Sequence, residues 1–562
     1  MRTEFILTFC FFIADILSFS QSIVNSPHNL SASGTGEIKS LEEKEICIFC
    51  HTPHTSNPER PLWNRSVPGT NYMLYKSSTI KAIPGQPDGA SVLCLSCHDG
   101  IIAPGNVLNR KYEIDFGSGA ETFKYGKYNL TTDLSDDHMI SFFYGSALAY
   151  ADGELKHPEN LLPPVTLEEG KMQCTSCHDP HKNTNKNFLV KTNKYSALCL
   201  SCHDKKYWLR SAHENSEARW NGAGISPWIG TAYETVSENA CENCHKPHSA
   251  GGHEHLMKYE AEERNCLNCH NGNVASKNIE AQINKPYSHN VYSYFKVHNA
   301  AEDALVFDMH AECEDCHNPH ASYNAEANAP FVKGYNEGVK GIDQNGNRLE
   351  TVQYEYEICY RCHADSPVKP VSSINRQIEQ NNVRLEFAPV NPSFHPVVAP
   401  GVNPDVPDLA APYSVSSIIY CTDCHASNGE DSPAGPHGSI YPGILKYNYT
   451  TGDNVTESYY AYELCYKCHD RSVLINGNSN SFQTKIHKKH IVKEHTPCSV
   501  CHDSHGISIT QGNSVNNSNL INFDRNVVSP VNGIIRFEDT GLFSGSCYLS
   551  CHGKIHNPKF YN

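Results

Sequence analysis

Residues 173–203 read QCTSCHDPHKNTNKNFLVKTNKYSALCLSCH: a Cys-x-x-Cys-His with a second His three residues on, then a plain Cys-x-x-Cys-His. The same cluster recurs outward in both directions until it has taken 24 of the 25 cysteines in the 562-residue chain. Toward the N-terminus lie Cys47/Cys50/His51 and Cys94/Cys97/His98, and in the quoted stretch Cys174/Cys177/His178 and Cys199/Cys202/His203. Beyond it follow Cys241/Cys244/His245, Cys266/Cys269/His270, Cys313/Cys316/His317 and Cys359/Cys362/His363. The last are Cys421/Cys424/His425, Cys465/Cys468/His469, Cys498/Cys501/His502 and Cys547/Cys551/His552, the final one with an extra residue between its cysteines.

A lone CxxC is as often a zinc knuckle or a redox dithiol, and Cys174/Cys177 with Cys199/Cys202 has near zinc-ribbon spacing. Twelve in succession, each closed by His, displace that reading. They fit covalent haem c, whose vinyl groups form thioethers with two Cys while the next His ligates the iron. The expected cofactor complement is therefore twelve haems c.

Taken two at a time, the clusters form six units, with first-Cys separations of 47, 25, 25, 46, 44 and 49 residues. Only the first member of a unit carries a further His: His54, His181, His248, His320 and His505, with His437 ending a longer insert in the fifth unit. Six methionines against 32 histidines make bis-His ligation the expectation throughout. A His three residues past the motif cannot return to the opposite face of its own iron, so these six are expected to serve neighbouring haems, most simply the second of each unit. The remaining sixth ligands are expected upstream: His28, His138, His289 and His395 share a local form, and His213 follows by elimination. In the sixth unit His487, His490 and His495 compete, with His490 preferred. His157, His253, His255, His298, His310 and His556 are surplus, expected to be exposed or hydrogen-bonded. An iron held by imidazole on both faces has no open position, which points to electron carriage by haem-to-haem hopping without a catalytic residue.

Arg2, an apolar run from Phe5 to Phe19 broken by Asp15, and Ser18 and Ser20 read as a cleaved signal peptide over 1–20, discarded with Cys10. Export agrees with haem c chemistry, and no later stretch has the length of a transmembrane helix, so no membrane anchor is expected. A net charge of −16 argues against nucleic acid as a partner. With 36 Gly and 32 Pro, the chain is rich in turn signals and short of long amphipathic periods. The predicted fold is mostly irregular, with short α-helices at the haem motifs and few or no strands, packed around haem. Dihaem units are expected over 21–110, 166–210, 211–280, 281–375, 376–475 and 476–562, with a haem-poor insert over 111–165.

The segments ICIFCHTPH, PLWNR and LCLSCHDG near the start, and CSVCHDSHGIS, LINFD and SGSCYLSCHG near the end, together with the recurring CHxPH, resemble the doubled-CXXCH multihaem cytochromes, related in style to class III cytochromes. The resemblance covers nearly the whole mature chain. It implies electron transfer with other redox proteins in the periplasm or outside the cell, in anaerobic or extracellular respiration. Some relatives polymerise into conducting filaments, so a second copy of this chain is a further partner implied. A reductase with one open haem is the enzyme alternative. The long first-unit insert and the stretched CHxPH of the fifth unit depart from the pattern.

Overall fold

In a Cys-x-x-Cys-His run, one helical turn brings both sulfurs and the imidazole to one side, because residues three and four apart are neighbours on a helix. The computed structural model describes residues 23–294, 298–299, 301–306, 310–476 and 482–561; the expected signal segment and Cys10 lie outside them. Eleven of the twelve clusters fold as a single α or 3-10 turn or as the end of a short helix, such as Gly89–His98 and Glu355–His363. In nine of them the motif His N–H donates to the carbonyl of the first Cys at 2.8–3.0 Å. Otherwise the chain is mostly turn and loop joined by two-residue strand pairs.

The exception is the C-terminus. Strands Val528–Ser529, Arg536–Gly541, Ser544–Cys551 and Lys554–Tyr561 form an antiparallel sheet in which Ser544–Cys551 pairs with the other three. Cys547 and Cys551 sit on that strand and both pack against the cluster of Val500, Phe523, Phe537 and Leu549. The extra residue between these cysteines matches the change of element: strand side chains alternate with a period of two, so positions four apart share a face and positions three apart do not.

The chain divides into two compact units. The first comprises 1–76, 80–204 and 247–249; the second comprises 77–79, 205–246 and 250–562. The first holds a hydrophobic cluster of Phe142, Tyr144, Val165 and Met172, drawn largely from the expected haem-poor insert. In the second, Ile342, Tyr356, Tyr360, Phe387, Phe394 and Val397 form another. Such clusters are small and separate.

Buried arginines tie the loops between them. Arg65 of the PLWNR segment is fully buried, and its guanidinium donates to the carbonyls of Ser96, Ile102, Ala103 and Pro104 at 2.8–3.3 Å, fixing the loop that leaves the second motif. Arg376 acts similarly in the second unit, donating to the carbonyls of Ser499 and Asn522 at 2.5 and 2.9 Å. Removing such a side chain strands several buried acceptors, each worth about 1–3 kcal/mol. Arg65→Met is expected to destabilise the first unit by about 3 kcal/mol or more, read as a lower urea midpoint by circular dichroism.

Candidate functional site

Eleven of the twelve motif histidines close a helical turn, and what each of these rings faces is another His. Among first members of the sequence pairs, His51 faces His181 with ring centres 6.1 Å apart, and His178 faces His248 at 6.2 Å. His245 faces His320, His317 faces His437, and His425 faces His505, each at 6.1 Å. Among second members, His98 faces His28 at 6.3 Å, His203 faces His138 at 6.4 Å and His270 faces His213 at 6.2 Å. His363 faces His289 at 6.2 Å and His469 faces His395 at 6.4 Å.

These pairings assign the CHxPH histidines differently from the simplest expectation. His181 lies opposite the first motif His of the preceding unit, not the second of its own, and His248, His320, His437 and His505 repeat the arrangement. The physical reason is the exit from the helical turn. His178, His425 and His502 have extended backbone, with φ between −100° and −120°, and each makes an antiparallel bridge, so the chain leaves the helical turn at the motif His; beyond His178 a turn closed by the Lys182 N–H on the Asp179 carbonyl carries Pro180 and His181. The upstream histidines then meet the second member of their own unit.

The CHxPH segments also hold the second set of pairs. His28 Nδ1 donates to the carbonyl of Pro180 at 3.2 Å, His213 Nδ1 to that of Pro319 at 2.8 Å, and His395 Nδ1 to that of Ser504 at 2.6 Å. His138 takes the carbonyl of Pro247 through its backbone N–H at 2.8 Å. Each such segment therefore touches both sites of the preceding unit: its His faces one, and the carbonyl before that His steadies the imidazole facing the other.

Three expected residues stand apart. His54 is exposed, with no imidazole opposite it among the described residues. His490 packs against Tyr561 with ring centres 6.4 Å apart and donates Nδ1 to the carbonyl of Ile486. His552 directs Nε2 to the Asp453 carboxylate at 2.9–3.0 Å. His502 instead faces His487 at 6.1 Å, the competitor passed over in the sixth unit. Its signal was arithmetic: His505 is taken by His425, and no CHxPH His stands after it in the sequence to face His502.

The geometry fits an iron between each pair. Two metal–imidazole bonds of about 2.0–2.1 Å, plus roughly 1.1 Å from each ring centre to its nitrogen, span about 6.2 Å. The other ring nitrogen is already engaged. His98, His178, His245, His317, His425 and His502 donate Nδ1 to backbone carbonyls at 2.7–2.9 Å, which leaves Nε2 for a metal. Burial, and then the facing imidazole, pull His28, His270, His363, His395, His425 and His502 down to about 4, so these rings are neutral and able to ligate at neutral pH.

The sulfurs lie in equally apolar surroundings. Burial pushes the Cys50, Cys177, Cys244 and Cys424 thiols up to about 12, an environment that favours an uncharged sulfur such as a thioether over the thiolates a zinc site requires. In the second unit one continuous cavity of about 3020 Å³ runs past the motif residues from Cys244 to His552. That is several times the 300–1,000 Å³ of an ordinary small-molecule site, a size suited to a row of large cofactors.

Known proteins agree with this chemistry. The family model described as Doubled CXXCH motif matches residues 166–207, the segment that contains Cys174 to His203. The multiheme cytochrome MtrA of Shewanella baltica (strain OS185) is 23% identical over 313 residues, which span 53% of this chain and 67% of that protein. Over these stretches the chain is similar to multihaem c-type cytochromes.

In this chain the motif cysteines approach one another in a fixed alternation. Between sequence units, the first Cys of one motif reaches the first Cys of the next: Cys94 with Cys174, Cys266 with Cys313, Cys359 with Cys421 and Cys465 with Cys498 lie within hydrogen-bonding reach. Within a unit it is the second Cys of each motif that is adjacent, as in Cys50 and Cys97, Cys177 and Cys202, Cys244 and Cys269, or Cys424 and Cys468. Attachment points so ordered make consecutive motifs spatial neighbours within each compact unit.

The cross-unit pairing predicts that His181→Ala opens one coordination position, at the haem on Cys47 and Cys50, whereas His54→Ala opens none. Optical spectra should show one high-spin haem in the first variant and an unchanged low-spin spectrum in the second; the reverse result would refute the pairing.

Proposed function

We propose that this chain is an exported dodecahaem electron carrier. Eleven of its haems would be held between two imidazoles, and electrons would pass along the chain by hopping. The reading is carried by the eleven imidazole pairs, all between 6.1 and 6.4 Å, each uniting a motif His with a His from outside that motif. The cofactor supplies a reversible one-electron change at iron. The protein's part is to occupy both axial positions, keep the imidazoles neutral, and exclude water and substrate from the metal.

Three carboxylates add a means of tuning. Asp408 accepts from His469 Nδ1 at 2.6 Å, Asp137 from His248 Nδ1 at 2.9 Å and Glu386 from His505 Nδ1 at 2.9 Å, where the other rings named above use carbonyls. A carboxylate partner makes the imidazole a stronger donor and favours the oxidised metal. Asp408→Asn is expected to raise the potential of the haem on Cys465 and Cys468 by about 60 mV, the one-electron equivalent of a tenfold change, seen as one shifted component in a spectroelectrochemical titration.

Export is inferred from haem c chemistry and from the Met1–Ser20 segment. Among the described residues no helix is long and apolar enough to cross a membrane. The partners are inferred to be redox proteins that deliver and remove electrons, in anaerobic or extracellular respiration.

A second reading, a reductase with one open haem, draws on the twelfth site. It lies on a strand, and His552 faces the Asp453 carboxylate with no imidazole opposite it at the common spacing among the described residues. Intact mass of the mature protein should correspond to twelve covalent haems; a lower count would overturn the dodecahaem assignment. Carbon monoxide should perturb no more than one haem. A carrier with twelve closed sites would show no change, while a shift lost on altering Cys547 and Cys551 would favour the enzyme reading.

A further inference from the structure

Two histidines used by no motif, His298 and His310, flank the approach to Cys313 in the second compact unit. Both lie among carboxylates. His310 Nε2 is 3.2 Å from Glu302 Oε2 and 3.4 Å from Glu312 Oε2, and His298 Nδ1 is 2.8 Å from that same Glu312 oxygen. Ligand atoms of Glu302, His310 and Glu312 lie within 4.8 Å of one another, as do those of Glu262, His298 and Glu312. The group is enclosed: Glu262 is 2% exposed, Glu312 5% and His298 7%.

Acidic side chains crowd this enclosure. Glu262, Glu302, Glu312 and Asp315 converge, and the guanidinium among them is Arg361, 3.0 Å from Asp315 Oδ1 and 3.9 Å from Glu302 Oε1. Moreover, Glu262 Oε2 and Glu312 Oε1 are buried without a hydrogen-bond partner among the described residues. Buried charge is retained when it is paired or bound to metal, and a buried carboxylate oxygen left unengaged is destabilising.

We propose that Glu302, His310 and Glu312 bind a divalent first-row transition-metal ion, distinct from the haem irons, with His298 orienting the Glu312 carboxylate. Donors 3.2–3.4 Å apart suit metal–ligand bonds of about 2.0–2.2 Å at near-tetrahedral angles. An imidazole nitrogen beside two carboxylates selects the zinc, manganese and iron class over calcium or magnesium, which favour all-oxygen sites. Tyr294 stacks on the His310 ring at 4.6 Å and restricts its rotation. In sequence the site sits directly before the Cys313 motif, so the ion places positive charge beside an attachment point already ringed by acid.

The test uses the purified haem-loaded protein, dialysed against chelator and then against zinc, with zinc and iron per chain measured by elemental analysis. The expected result is one zinc more per chain than in His310→Gln or Glu302→Gln, and affinity at this site reduced at least about tenfold in either variant. His157→Gln, altering a surplus His outside the cluster, should retain the full complement. Iron content and the visible spectrum report whether each variant has kept its haems. Native protein that takes up no zinc would overturn the proposal whatever the variants do. Equal uptake by native protein and both variants would also overturn it.

Discussion

Two imidazole rings must be held face to face about 6 Å apart, by segments far apart in sequence, and the rest of the structure answers to that requirement. A chain with small, separate hydrophobic clusters and few long helices has little else to fix its loops. Here the loops are positioned by what they deliver to a haem site. The extended backbone at His178, His425 and His502 and the carbonyls of Pro180, Pro319 and Ser504 restrict the place of ring nitrogens, and the fully buried Arg65 holds the loop that follows the second motif. Hydrophobic burial then closes space around the cofactors, with no large core to assemble first.

This division of labour determined what could be read from the sequence. The helical turn at most of the twelve Cys-His clusters and the supply of second imidazoles were legible because a short spacing maps directly onto one local geometry. His28, His138, His289 and His395 could be picked out by local form and His213 by elimination, and the structure sets each opposite a motif His. The direction of the CHxPH ligands was not legible. Spacing shows that such a His cannot serve its own iron, but only the backbone conformation after the turn shows that it travels back to the preceding unit.

The C-terminal region was harder for physical reasons. The helix Phe482–His487 passes into wider π turns over Lys488–Lys493, which changes the register between His487 and His490 and directs the latter toward Tyr561. No pattern of apolar residues announces that change. The extra residue between Cys547 and Cys551 was visible as an irregularity. Its meaning depends on the strand period, and so on a sheet whose other strands lie outside the motif.

The backward reach of each CHxPH segment gives the chain a head and a tail. Every interior unit completes its predecessor and is completed by its successor, so a unit can be gained or lost in the middle without leaving a gap, since the flanking units mesh as before. The outermost repeats differ from the interior ones. His54 is exposed, with no imidazole opposite it among the described residues, while His502 is met by a local ring, His487, and not by a CHxPH His. An array so built changes size by whole repeats, since each repeat brings the ring that closes the one before it.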